Sequence, residues 1–120
     1  MTPRILAIED DPGISGVLRR GLGVAGFQIT FADDLASGRE AWAAGAFDLV
    51  LLDVMLPDGD GISLLGERRA SGDRTPVVLL TAREEADLRD RALAAGATAH
   101  LAKPFAFADL VACVRRYTAT

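Results

Sequence analysis

The sequence has few of the features that mark secreted, membrane-spanning or nucleic-acid-binding proteins. Cys113 is the only cysteine among 120 residues, which excludes an internal disulfide and a cysteine-rich metal site and agrees with a reducing compartment. No apolar run approaches the roughly 20 residues that a membrane-spanning helix needs. The net charge of -4 argues against direct binding to nucleic acid, because neutralising phosphates requires a basic surface.

The N-terminal residues also lack the apolar core and cleavage site of a signal peptide, since Arg4 leads directly into a strand-like segment at residues 5–8. We therefore expect a cytoplasmic protein that does not interact with membranes. Half of the residues are hydrophobic and a quarter are charged, which is typical of a folded globular chain. At this length the composition predicts one domain over residues 1–120, without room for a second.

Apolar runs alternate with helix-like segments five times along the chain. Strands are predicted at residues 4–8, 28–32, 49–52, 77–80 and 99–102, and helices at about 12–25, 35–44, 61–70, 84–95 and 107–117. Asp11 followed by Pro12, and the pair Asp33-Asp34, are typical helix starts. Regular alternation of this kind predicts an α/β fold, with a parallel sheet and helices on both of its faces.

Side chains that carry chemistry follow four of the five strands, at the point where each strand ends. Glu9 and Asp10 follow the first strand, Asp53 ends the third, Thr81 ends the fourth and Lys103 follows the fifth. The carboxyl ends of parallel strands meet at one edge of a sheet, where ligands bind. Each residue alone has an ordinary structural explanation, such as capping a helix or ending a strand. Together they predict a functional site.

The predicted cluster is rich in acids and needs a cation. Carboxylates about 4 Å apart repel by roughly 4 kcal/mol at an effective dielectric of 20. Mg²⁺ prefers such oxygen ligands and keeps positions open for phosphoryl groups. With this ion and Lys103 neutralising the charge, the Asp53 carboxylate can attack phosphorus and form an acyl phosphate. The Thr81 hydroxyl suits a remaining phosphoryl oxygen, and we expect Lys103 to matter for phosphate more than for the fold.

Four segments closely resemble the receiver domains of two-component response regulators, and most of all the OmpR/PhoB subclass. They are residues 8–11, 52–61, 80–83 and 101–105, and the resemblance covers essentially the whole chain. It implies a flavodoxin-like, doubly wound five-stranded parallel sheet with strand order 2-1-3-4-5. It also implies that the chain is the N-terminal receiver of a longer regulator, which binds DNA only through a winged-helix domain.

The resemblance assigns roles at the matching positions. Asp53 is the phosphoacceptor and takes its phosphoryl group from a sensor histidine kinase. The groups implied to hold Mg²⁺ are Glu9, Asp10, Asp53 and the main-chain carbonyl of Met55. Thr81 and Lys103 contact the phosphoryl group, and the bond from Lys103 to Pro104 is a cis peptide. The domain is then a switch rather than an enzyme, since it catalyses only its own phosphorylation and dephosphorylation.

Two surfaces and one switch position follow from the same resemblance. The kinase-docking surface is implied at Ile14, Leu18, Pro104 and Phe105. The homodimer face, formed by the fourth helix, fifth strand and fifth helix, is implied at Arg89, Ala99, Asp109 and Cys113. Ala99 and Cys113 stand where relatives have an Asp and an Arg that form an ion pair, so we expect weaker dimerisation, with Cys113 facing outward. His100 replaces the Tyr or Phe that normally moves with Thr81, and it is interpreted either as a core-edge histidine or as a pH sensor.

Other functions fit the residues less well. A flavin-binding module needs a phosphate loop after the first strand, where Glu9 and Asp10 would repel the phosphate. A phosphatase of the haloacid dehalogenase type needs a second Asp two residues after its nucleophile, where this sequence has Met55. Asp58 and Asp60 suggest a calcium loop, but the other acids of an EF-hand are missing. The serious alternative is a receiver-like scaffold that binds its partners independently of phosphate.

Overall fold

The computed structural model describes residues 2–82 and 88–118, except for the side chain of Arg89. In chain order the elements are β1 (Arg4–Ile8), α1 (Pro12–Val24), β2 (Gln28–Ala32), α2 (Leu35–Ala44), β3 (Leu49–Asp53), β4 (Met55–Leu56), β5 (Gly59–Asp60), α3 (Gly61–Ala70), β6 (Val77–Ala82), α4 (Leu88–Ala95), β7 (Ala99–Lys103) and α5 (Phe107–Thr118). No helix among these residues is long and apolar enough to cross a bilayer.

Five strands form one parallel sheet in the order β2-β1-β3-β6-β7. This is the predicted order 2-1-3-4-5, because β6 and β7 are the fourth and fifth strands of the sheet. Within the described part of the chain, β4 and β5 lie outside the sheet and pair with each other as a small antiparallel hairpin. The hairpin was not predicted, since two-residue strands are too short to show a hydrophobic period. The predicted start of the fourth helix at residue 84 lies outside the described residues.

The sheet divides the core into two layers, and alternate residues of each strand enter opposite layers. One layer packs against α2 and α3 and contains the lone tryptophan, Trp42, while the other packs against α1 and α5. All five residues of β3 are buried, which explains its uninterrupted apolar sequence. Each fully buried Leu or Val contributes about 1.5–3 kcal/mol relative to an exposed one, so the central strands are held firmly.

Three helices begin just beyond the carboxyl ends of strands, each at an aspartate. Asp11 accepts a hydrogen bond from the Gly13 amide (2.8 Å), and Pro12 occupies the first helical position of α1. Asp34 caps α2, as the Asp33-Asp34 pair predicts, and Asp60 caps α3. Local sequence therefore turns the chain sharply after β1 and β2, and directly after the hairpin, which leaves the strand ends accessible.

Candidate functional site

Three carboxylates meet at the carboxyl edge of the sheet. Glu9 directly follows β1 and Asp53 ends β3, and these strands are hydrogen-bonded neighbours. One carboxylate oxygen from each of Glu9, Asp10 and Asp53 lies within 4.8 Å of the other two. Glu9 and Asp53 are 2% and 6% exposed, whereas Asp10 is exposed at the rim. The site is thus a partly buried acidic pocket with one open side.

Lys103 reaches this pocket from the edge strand β7. Its Nζ donates a hydrogen bond to Asp53 Oδ2 (3.0 Å) and lies 2.8 Å from Glu9 Oε1. Burial alone would lower the pKa of Lys103, but the hydrogen bonds and charges of Glu9 and Asp53 outweigh burial and raise it. Lys103, the only lysine of the sequence, is therefore a firmly charged ammonium shared by two carboxylates.

One lysine does not fully compensate the acids. Glu9 Oε2 accepts the Asp10 amide (3.0 Å), and its buried Oε1 lies against the Lys103 ammonium, which Glu9 shares with Asp53. Burial, reinforced by Asp53, raises the pKa of Glu9 from 4.5 to about 7 even though Lys103 acts in the opposite direction. Three carboxylates around one ammonium leave an excess of negative charge, so the donor set fits a hard divalent ion such as Mg²⁺.

Main-chain groups also hold Asp53 in place, at the carboxylate oxygen that Lys103 does not contact. Its Oδ1 accepts a hydrogen bond from the Met55 amide (3.2 Å). The Gly61 amide donates to the Val54 carbonyl (2.7 Å), and a Cβ at Gly61 would lie 2.1 Å from the Asp53 carbonyl oxygen. Only glycine fits this approach. Gly61 belongs to the motif that carries the family resemblance, but sequence alone did not show this packing role.

Thr81 and Met55 complete the predicted set. Thr81 is buried on β6, which lies between β3 and β7, and it is in register with Ala102 next to Lys103. The structure therefore brings Thr81 to the same edge as the acids. Met55 opens the hairpin two residues after Asp53, and its side chain is 67% exposed. The roles of these residues remain predictions.

The predicted docking surface is placed only in part. Ile14, Pro104 and Phe105 line a groove of about 440 Å³ at the start of α1, and the bond from Lys103 to Pro104 is cis. Leu18, however, is fully buried in the layer between α1 and the sheet, so assigning it to a partner surface was wrong. Its helical phase points to the core, and Val17, 38% exposed, lines the groove instead.

The predicted switch and dimer positions differ from expectation at two residues. His100 is exposed on β7 rather than packed at the core edge, because β7 has a neighbouring strand on one side only. Cys113 does not face fully outward. It is half-buried against the α1 and α5 layer, as is Ala99, and burial raises the pKa of its thiol. Asp109 is exposed, while the side chain of Arg89 lies outside the described residues.

Comparison with known proteins adds family evidence to this geometry. A family model described as response regulator receiver domain matches residues 5–115. The swarming motility regulation protein RssB of Serratia marcescens is 40% identical over 111 residues, which cover 92% of this chain and 51% of RssB. The transcriptional regulatory protein CusR of Escherichia coli K12 is 38% identical over 112 residues, 93% of this chain and 49% of CusR. The chain thus spans about half the length of the curated relatives it matches.

Receiver domains are also found among the solved structures that resemble this chain. The receiver domain of the Francisella response regulator 1452 superposes with a TM-score of 0.92 at 28% identity, covering 98% of this chain and 97% of that one. The receiver domain of the sensor histidine kinase PA1611 from Pseudomonas aeruginosa PAO1 superposes with a TM-score of 0.89 at 32% identity and full coverage of both chains. That structure has a magnesium ion coordinated in its active site cleft.

Proposed function

Because this chain belongs to the response regulator receiver domain family, we propose that it is a phosphorylation-activated switch in which Asp53 accepts a phosphoryl group from a sensor histidine kinase. The observation that carries the proposal is the pair of contacts from Lys103 to Glu9 and Asp53, which puts a cation between two carboxylates at adjacent strand ends. Together with a bound Mg²⁺, Lys103 can neutralise a phosphoryl group beside the Asp53 carboxylate nucleophile.

Mg²⁺ would be held by Glu9, Asp10, Asp53 and the main-chain carbonyl of Met55. The three carboxylate oxygens within 4.8 Å of one another, whose negative charge Lys103 compensates only in part, support this assignment. When bound, the ion neutralises phosphoryl oxygens and orients them for in-line transfer. The magnesium site of the PA1611 receiver supports the same choice of metal.

We propose the following transfer reaction, which the positions of Asp53, Lys103 and Thr81 support. An Asp53 carboxylate oxygen attacks phosphorus, the new P–O bond forms, and the P–N bond to the kinase histidine breaks with the electron pair returning to the imidazole. Lys103 exchanges its contact with Asp53 for a phosphoryl oxygen, which keeps its charge paired throughout. The Thr81 hydroxyl donates to another phosphoryl oxygen. With His100, Thr81 is the proposed link from the pocket to β7.

The output of the switch is proposed from the relatives. Those named above act in transcription or swarming regulation and are about twice as long as this chain. We propose that residues 1–120 are the receiver of a longer cytoplasmic transcription regulator of the OmpR/PhoB type, which binds DNA through a winged-helix domain. Phosphorylation would then act through a homodimer face on α4, β7 and α5.

Incubation of the purified domain with acetyl phosphate tests the proposal. Intact mass should rise by one phosphoryl group with Mg²⁺ and much less without it. Asp53→Asn should abolish the gain. Asp48→Asn is the matched control, because Asp48 is an exposed acid at the opposite end of β3 that accepts the Arg4 amide (2.7 Å). A mass gain retained in Asp53→Asn would refute the site, and no gain in the unmodified domain would favour the phosphate-independent scaffold.

A further inference from the structure

The hairpin that follows Asp53 is attached to the start of α2 by one side chain. Asp58, at the tip of the hairpin, accepts the Leu35 amide at Oδ1 (2.7 Å) and the Ala36 amide at Oδ2 (3.0 Å). These are the first two residues of α2, whose amides have no partner within the helix. Both oxygens of one carboxylate therefore bridge two elements that are 22 or 23 residues apart in sequence.

We propose that Asp58 is a positioning residue for the metal site: by fastening the hairpin to α2 it fixes Met55, whose main-chain carbonyl is the proposed Mg²⁺ ligand. This inference rests on the proposed function. Asp58 is not one of the proposed ligands, so it would act only through the backbone of residues 55–60.

Met55 needs such support because its own side chain does not anchor it. That side chain is 67% exposed, so the position of the Met55 carbonyl depends on its neighbours in the hairpin. At the base, the Gly61 amide fastens the chain to the Val54 carbonyl. At the tip, Asp58 provides the two hydrogen bonds to α2.

Apolar packing also holds the tip of the hairpin against α2. Leu56 is buried in the same core layer as Leu35, the first residue of α2. A Cβ at Gly59 would lie 2.9 Å from Leu35 Cδ1, and Gly59 has a φ of +148°, so a side chain there would be both strained and crowded. The hairpin therefore lies directly on the first turn of α2, at the end where Asp58 binds.

The bonds of Asp58 are of the strong, charge-assisted kind. Hydrogen bonds from the Leu35 amide, followed by that of Ala36, lower the pKa of the Asp58 carboxyl, so it is ionised at neutral pH. A carboxylate at a helix N-terminus also interacts favourably with the helix dipole. Replacing Asp58 by alanine removes both hydrogen bonds and leaves the tip without this attachment.

Asp34 offers a matched control on the same helix. It is also an acid at the start of α2, and it accepts both the amide (2.7 Å) and the hydroxyl of Ser37. Its bonds stay within residues 34–37 and do not touch the hairpin. Asp34→Ala therefore removes the same charge and the same number of hydrogen bonds from the same helix end as Asp58→Ala, but not the attachment of the hairpin.

The experiment is calorimetric titration of Mg²⁺ into the metal-free domain, with melting curves of each variant recorded without metal. Asp58→Ala should weaken Mg²⁺ binding by about tenfold, as when an outer partner of a metal ligand is lost. Asp34→Ala should lower the melting temperature to a similar extent but leave Mg²⁺ affinity within about twofold. Asp58→Asn, which keeps one acceptor oxygen and is the milder change should Asp58→Ala not fold, should lie between Asp58→Ala and the unmodified domain.

Each outcome is decisive. Equal loss of Mg²⁺ affinity in Asp58→Ala and Asp34→Ala would show an effect of charge or of helix stability and would overturn the inference. Unchanged affinity in both Asp58 variants would also overturn it. If the unmodified domain binds no Mg²⁺ at all, the proposed function itself fails, and that result is distinct from an effect confined to the variants.

Discussion

Strands β3 and β7 have the same length, run parallel in the same sheet and end on a charged residue, yet their surroundings are opposite. All five residues of β3 are buried, and Asp53 at its end is 6% exposed. In β7, half-buried and exposed residues alternate, and His100 is exposed. The difference arises because β3 has a strand on each side and β7 has only one.

The contrast separates the proposed phosphorylation site from the proposed homodimer face. Around Asp53 the main chain is fixed by Gly61 and by neighbouring strands, so few substitutions fit. Along β7, Lys103 contacts the pocket acids, while Ala99 is half-buried and His100 is exposed. Substitutions around Asp53 should therefore lower the free energy of unfolding more than substitutions along β7.

The largest effect is expected at Gly61. Gly61→Ala places a methyl group 2.1 Å from the Asp53 carbonyl oxygen and should lower the free energy of unfolding by at least about 2 kcal/mol, as overpacking does. The matched control is Gly66→Ala in the same helix, where a Cβ meets nothing within 4 Å and should stabilise the domain by about 0.5–1 kcal/mol. Urea unfolding measures both. Equal effects would mean that the centre is not tightly packed at Asp53.

Lys103 is the exception on the edge strand. Its contacts with Glu9 and Asp53 add a structural role to the expected phosphate role. Without metal at pH 8, Lys103→Ala should cost about 2 kcal/mol of stability, less than the 3–5 kcal/mol typical of a broken buried pair, because Glu9 can take up a proton. Arg39→Ala, which breaks an exposed pair with Glu67, should barely change the melting temperature. A small effect of Lys103→Ala would show that water already solvates the pocket.

The pH dependence of stability should come from Glu9 in the pocket and not from the edge strand β7. Since the pKa of Glu9 is raised from 4.5 to about 7 on folding, folding favours its protonated form. The resulting stabilisation is complete below pH 4.5 and is lost as the pH rises through 7. Without metal, the unmodified domain should therefore lose several degrees of melting temperature relative to Glu9→Gln between pH 5 and 8. Parallel melting curves for the two proteins would contradict the raised pKa.

The smallest effect is expected on the proposed homodimer face, which includes β7 and α5. Exposed ion pairs contribute roughly 0 to 1 kcal/mol each, and a two-fold dimer counts each pair twice. Ala99→Asp together with Cys113→Arg should therefore tighten the beryllofluoride-loaded dimer by up to about thirtyfold in sedimentation equilibrium. Either change alone lacks its partner and should bring no gain. If one change alone is as effective as both, the missing ion pair does not explain the affinity.

The central strand β3 and the pocket around Asp53 were also predicted best from the sequence. Uninterrupted apolar runs and local caps such as Asp11 and Asp34 fix strands and helix starts without knowledge of the fold. The predicted pocket residues were brought to one edge for the same reason. The hairpin strands are too short to show a hydrophobic period, the burial of Leu18 depends on which face of α1 packs on the sheet, and the exposure of His100 depends on which strand lies at the edge. Such facts appear only once distant segments are packed together.

Locating the phosphoryl group tests the central claim most directly. The domain is phosphorylated with acetyl phosphate and Mg²⁺ and then treated with borohydride, which reduces an aspartyl phosphate to homoserine. Peptide sequencing by mass spectrometry should find homoserine at Asp53 and unreduced Asp10 and Glu9, because Asp53 combines a hydrogen bond from Lys103 with a place at the end of the central strand. Conversion at another acid, or none at Asp53 in protein that carries the phosphoryl mass, would contradict the account.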